Sequence, residues 1–243
     1  MKTTASLPLI ALLFSLVACS KKDVPNDVPV FDKVKTYTET VNSSVLGQFS
    51  TTYTISYDQE GRFLSMIDSQ NPGNKFIFTH NPSGFDLDIF ANSNVVIHQD
   101  VFLNDILMDS TIQFNDEGDT TTEKYIYNTD KLLVKLKRYN YHTSGSILDE
   151  EINYTYDADR NLLTETDYSS TITYTYNNEV ILNTIDLFPM HFTPSRRLPS
   201  RVTYSGDDVT VDHTYAVDGQ KRLIRDHAVV SNGDEFTKTY TYE

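Results

Sequence analysis

The chain has 243 residues, with 34 acidic against 20 basic side chains, a formal net charge of −14, 16 tyrosines and no tryptophan. Such an excess of acid repels phosphate backbones and anionic lipid surfaces. It excludes nucleic acid as a partner and leaves charge unable to hold the protein to a membrane. A single cysteine excludes an internal disulfide.

The first residues read as a processing segment. Lys2 supplies a small positive region, and Leu7 to Val17 forms an apolar run too short to span a bilayer. The run ends in Leu16-Val17-Ala18-Cys19, which resembles the lipobox of bacterial lipoproteins. The resemblance implies that residues 1–18 are removed as a signal peptide and that the Cys19 thiol carries a diacylglycerol. Two or more acyl chains at that cysteine make a stable anchor. An ordinary secretory signal beside a stray thiol is the alternative. Cleavage removes Lys2 alone among charged residues, leaving 19 basic against 34 acidic and a net of −15. Residues 19–33, polar and broken by Pro25 and Pro29, read as a flexible tether. Ser20 after the cysteine resembles lipoproteins sent to the outer membrane, and Lys21-Lys22-Asp23 is similar to export signals of surface-displayed lipoproteins. These resemblances imply an outer-membrane, lipid-anchored protein on the periplasmic or, somewhat better, the surface face.

From Val34 to Glu243 the chain alternates apolar and polar residues over about 6 to 10 positions, turns, and repeats. Phe49, Thr51, Tyr53, Ile55 and Tyr57 share one face, and Ser50, Thr52, Thr54 and Ser56 the other. Leu148, Ile152, Tyr154 and Tyr156 likewise oppose Asp149, Glu151, Asn153 and Thr155. Strand side chains alternate faces, so each such strand buries one side and wets the other. Tyr57-Asp58-Gln59-Glu60-Gly61 sets the pattern for the turns. It returns, more or less altered, at Phe114–Gly118, Tyr127–Lys131, Tyr156–Arg160 and Tyr176–Val180, and most loosely at Tyr215–Gly219. An aromatic closes a strand, Asp or Asn opens a turn by accepting backbone amides, and Gly or a substitute takes the left-handed position.

At Tyr57 to Leu64 and Tyr154 to Leu163 the sequence resembles the YD repeats of Rhs-type shell proteins. The lipobox, the tyrosine-rich meander, Ile185-Asp186-Leu187 and Leu198-Pro199-Ser200 together resemble a group of envelope lipoproteins of unknown function with a porin-like β domain. That resemblance implies a fold and no activity. We expect an all-β, antiparallel meander of roughly 15 to 18 strands in a single domain, 34–243. It should form a curved or barrel-like sheet that hides its apolar face. Threonines among the apolar positions, with Lys135, Lys137, Glu150 and Glu151 on the strands, point to a water-soluble rather than a membrane-spanning sheet.

Candidate sites are few. Turn formation accounts for Asp157 and Asp159 better than calcium does, and the six histidines lack ligand spacing, so no metal and no cofactor is expected. Nucleophile elbows, phosphate loops and zinc-protease motifs are absent from the sequence, so we read no enzyme here. Asp186–Pro199 breaks the pattern: it carries three prolines and cannot sit in a ladder. Phe188, His191, Phe192, Arg196 and Arg197 there are the candidate lip for a ligand or partner, or else part of a plug over one end of the sheet. Three functions are left standing. They are a lipid-anchored module binding a glycan or an envelope protein, a structural envelope lipoprotein, and a polysaccharide hydrolase.

Overall fold

Threonine on one face and tyrosine or an aliphatic on the other make each strand a ribbon with an apolar and a polar side. A computed structural model describes residues 33–104, 107–115, 120–142, 145–177, 197–206 and 208–243. In chain order the first eight strands are β1 (Val34–Ser43), β2 (Gly47–Tyr57), β3 (Phe63–Asp68), β4 (Lys75–Asn81), β5 (Gly84–Ala91), β6 (Asn94–Asn104), β7 (Leu107–Asn115) and β8 (Thr120–Tyr127). They continue as β9 (Leu133–His142), β10 (Gly145–Tyr156), β11 (Leu162–Thr166), β12 (Thr171–Thr175), β13 (Arg201–Tyr204), β14 (Val209–Val217), β15 (Leu223–Val230) and β16 (Glu235–Tyr242).

Each strand pairs antiparallel with its chain neighbours, and β16 returns to β1, from Val34 opposite Tyr242 to Asn42 opposite Glu235. The sixteen strands form a closed barrel. Of the expected curved or barrel-like sheet, the structure takes the closed form: the first and last strands satisfy each other along their length, so the described sheet has no free edge.

Closure gives every strand an inner and an outer face. Tyr37, Ile55, Met66, Phe76, Phe78, Leu87, Ile89, Val101 and Tyr240 build a buried apolar cluster on the inner face. Outside, hydroxyl pairs cross the strands, among them Thr38 with Thr52 (2.9 Å), Ser56 with Ser65 (2.6 Å) and Thr155 with Thr164 (2.6 Å). Such cross-strand pairs hold the register from the outside, while apolar burial holds it from within. At the head of β5 a Cβ on Gly84 would stand 1.9 Å from the Val101 oxygen, so only glycine fits there.

The barrel has an entry end, where the Glu243 amide donates to the Lys33 carbonyl at 3.1 Å, and a far end. Four entry-end turns share one design. Asp58, Asn128, Asp157 and Asp218 each accept two amides through Oδ1, from residues two and four positions on, at 2.8–3.0 Å. The left-handed position falls on Gly61, Lys131, Arg160 and Lys221. The last turn thus opens at Asp218 and not at Ala216, the second position of Tyr215–Gly219. Our frame was two residues early because Gly219 looked like the left-handed residue. Asp157 Oδ2 also accepts from the Asn161 side-chain Nδ2 at 2.8 Å, so turn donors already engage both of its oxygens.

A second device works at the same end. Tyr57, Tyr156, Tyr176, Tyr215 and Tyr242 each donate a hydroxyl to a carbonyl at or just before the start of the preceding strand: Val34, Leu133, Leu162, Pro199 and Leu223. Tyr127 occupies the corresponding place on β8, yet its buried hydroxyl has no partner among the described residues.

Two outcomes test these readings. Tyr156→Phe should lower unfolding free energy by about 1 kcal/mol in chemical denaturation, whereas Tyr127→Phe should leave it unchanged or raise it; equal losses would contradict the pairing. Asp157→Ala should cost about 1–2 kcal/mol through the unpaired turn amides. A melting temperature unmoved by that change would remove the turn role assigned to the residue.

Candidate functional site

The Pro-rich segment is the natural place to begin. Cys19, Phe188, His191, Phe192 and Arg196 lie outside the described residues. Arg197 is described, with its Nη2 3.8 Å from Asp159 Oδ2 across the entry end. From there the chain turns inward. Leu198 packs against the apolar cluster, and buried Pro199 accepts the Tyr215 hydroxyl at 2.7 Å. The described tail of the loop is therefore built into the barrel.

The inner wall holds what the sequence reading missed. On β8, β9 and β10, Glu123, Arg138 and Glu150 stand opposite one another in register. Arg138 donates to Glu123 Oε1 through Nε (3.0 Å) and Nη2 (2.8 Å), and through Nη1 to Glu150. Tyr125 donates to the other Glu123 oxygen at 2.7 Å. Further round, the Tyr174 hydroxyl donates to Glu165 at 2.6 Å.

Opposite this group in the ring of strands lies a second one, on β14, β15, β16 and β1. Asp226 takes His213 Nδ1 at 2.9 Å and is 4% exposed. Beside it come Lys238 and Glu39, themselves cross-strand neighbours.

A signal for these residues existed in the strand alternation. Glu39 falls in phase with Tyr37 and Val41, Glu123 with Tyr125, and Lys238 with Phe236 and Tyr240. A charge on the apolar phase of a strand is costly to bury and so worth noticing. Glu150 reads the same way, in phase with Ile152 and Tyr154. A bulge between Leu148 and Glu150 shifts the phase before it, which leaves Leu148 opposite Tyr139 on the outside. Leu148 therefore does not share the face of Ile152, against our expectation.

With the geometry established, comparison with known proteins is informative about the fold. A porin-like protein from Bacteroides uniformis ATCC 8492 aligns with a TM-score of 0.66 at 18% identity, covering 88% of this chain and 98% of that one. Another, from Bacteroides vulgatus ATCC 8482, aligns at 0.64 with 12% identity, covering 87% and 99%. Neither a protein-family model nor a curated protein matches.

The fold is porin-like. This overturns the water-soluble sheet we expected, since a closed sixteen-strand antiparallel barrel matched to porin-like proteins over nearly their whole length is a membrane-type architecture. Two of the features that misled us are resolved by the structure. Glu150 is an inner-wall residue. The outward charges Lys135 and Lys137 both meet Glu151, at 2.5 and 3.4 Å, so they are paired and not isolated.

The Arg138 network yields a stability test. Arg138→Met strands two carboxylates on the inner wall. After discounting for its partial exposure, the loss should be about 1–2 kcal/mol. Combined with Glu123→Gln, the loss should be less than the sum of the two single changes. Strict additivity in that double-mutant cycle would dissolve the network.

Proposed function

We propose that the chain is an outer-membrane-associated, lipid-anchored barrel that works as a binding module of the cell envelope, for a glycan or an envelope protein. The porin-like neighbours support the outer-membrane association, and the lipobox-like Leu16–Cys19 supports the anchor. One observation carries the binding role, the division of the inner wall. Around β1 to β7, β15 and β16 the wall is dominated by a buried apolar cluster. From β8 to β14 it presents Glu123, Tyr125, Arg138, Glu150, Tyr154, Glu165 and Tyr204, all only partly buried. Apolar side chains of similar volume would generally serve stability as well or better than partly desolvated ion pairs. Tyrosines beside donors and acceptors are what a polar ligand requires.

The apolar half favours a second reading, a structural envelope lipoprotein whose interior is filled for stability. Two measurements separate these possibilities. Cys19→Ser should move the protein from the membrane to the soluble fraction; retention on membranes would end the anchor hypothesis. Tyrosine fluorescence of the barrel, titrated with a glycan panel, should change for at least one member. Silence across the panel together with no captured envelope protein would leave the structural reading.

A further inference from the structure

Strand register maps the outer wall as well as the inner one. Phe85, Leu87 and Val101 join the buried cluster, so the residues between them on β5 and β6 face out. One outward row across β5 to β10 runs Asp86, Asp100, Ile112, Thr122, Tyr139, Leu148. The row nearer the far end carries Asp88, His98, Phe114 and Tyr141, and the row nearer the entry end Phe102, Lys124, Lys137 and Glu151. Phe102, Phe114, Tyr141 and Leu148 are 37–46% exposed, with Ile112 and Tyr139 half-buried among them. Other outward positions are hydroxyls, such as Thr38 and Thr40 on β1, Thr52 and Thr54 on β2, and Thr171 and Thr173 on β12. The aromatic patch is therefore one-sided, and not a lipid-facing band encircling the barrel.

Like charges stand directly opposite each other on both flanks of this patch. Asp86 faces Asp100 on β5 and β6, and Lys124 faces Lys137 on β8 and β9. Directly opposed like charges destabilise a sheet, so neither pair helps the barrel that carries it. Asp88 adds a third acid, and the one His98 ring serves Asp88 and Asp100, at 2.6 and 2.9 Å. On the other flank Lys135 and Lys137 share Glu151, and exposed Lys124 forms no ion pair among the described residues. Acid is in excess on one side of the patch and base on the other.

The two like-charge pairs lie symmetrically about β7. A second copy turned about a two-fold axis along β7 lays its β9 over β5 and its β8 over β6. Lysines then meet acids on both flanks, and the aromatic patches cover each other between them. The lysine pair sits one row nearer the entry end, about 7 Å along the strands, an offset that a lysine side chain spans. Five strands about 4.8 Å apart make a face roughly 20 Å wide, which suits a small, reversible interface. Both entry ends point the same way, as the proposed anchor in one membrane requires. We propose that the outer face of β5 to β10 is a homodimer interface, with Asp86 and Asp100 of each copy set against Lys124 and Lys137 of the other.

Sedimentation of the detergent-solubilised full chain tests this. The wild-type chain should form dimers with a midpoint in the micromolar range, and a chain still monomeric at about 100 μM overturns the interface. Asp86→Lys with Asp100→Lys sets lysines against lysines, and Lys124→Glu with Lys137→Glu sets acids against acids. Each double variant should weaken self-association about tenfold or more. Mixing the two variants should restore dimers, because every contact again joins opposite charges. Dimers that persist unchanged in both double variants, or that fail to return on mixing folded chains, overturn the pairing. Should a reversed chain lose its strand signal in circular dichroism, Tyr141→Ser decides: it should weaken dimers about tenfold, and unchanged dimers overturn the face. Wild-type monomers whose tyrosine fluorescence is quenched by brominated phosphatidylcholine vesicles, with the quenching lost in Tyr141→Ser, make the patch a lipid surface and overturn the dimer.

Discussion

The pairing of β16 with β1 is the constraint on which the rest of the structure depends. An antiparallel meander of this length would otherwise expose two unpaired strand edges and an apolar face wide enough to aggregate. Closure removes the edges and divides every side chain between an inside and an outside. Because strand side chains alternate with period two, a one-residue slip at this seam would exchange the faces of the pair it joins. The seam is held accordingly, with Tyr37 and Tyr240 stacked inside and Thr36 and Thr241 hydrogen-bonded outside at 2.7 Å.

Local chemistry then tidies the ends. At the entry end, side-chain oxygens replace water on turn amides that no strand can reach, and tyrosine hydroxyls bind carbonyls where strands begin. At the far end the same logic recurs with different residues. The amides of Ser169 and Ser170 hold the Asp167 carboxyl down at about 2. Asp234 reaches across the seam to the Ser44 amide at 2.8 Å and the Ser43 hydroxyl at 2.9 Å. Turns and seam are thus parts of one hydrogen-bonded rim.

How much could be read in advance varied with the range of the interaction. Turn chemistry is local, so Asp58 and Asp157 announced themselves within a five-residue window. The Asp218 turn misled because glycine at 219 is a stronger local signal than lysine in the left-handed position at 221. Face assignment by alternation worked for β2 and failed within β10, where a bulge changes the phase at a place no composition marks. The charged inner wall escaped for a related reason. Glu39 and Lys238 are 199 positions apart in sequence, and only the seam makes them neighbours.

By itself the sequence determined the β character, the antiparallel hairpin order and the chemistry of the turns, since each follows from residues within one or two strands of each other. Tertiary structure alone decided that the sheet closes, which way Leu148 faces, and that Lys238 sits between Glu39 and Asp226. Those outcomes depend on register between strands joined through the whole barrel, and register is a property of the closed sheet and not of any segment within it.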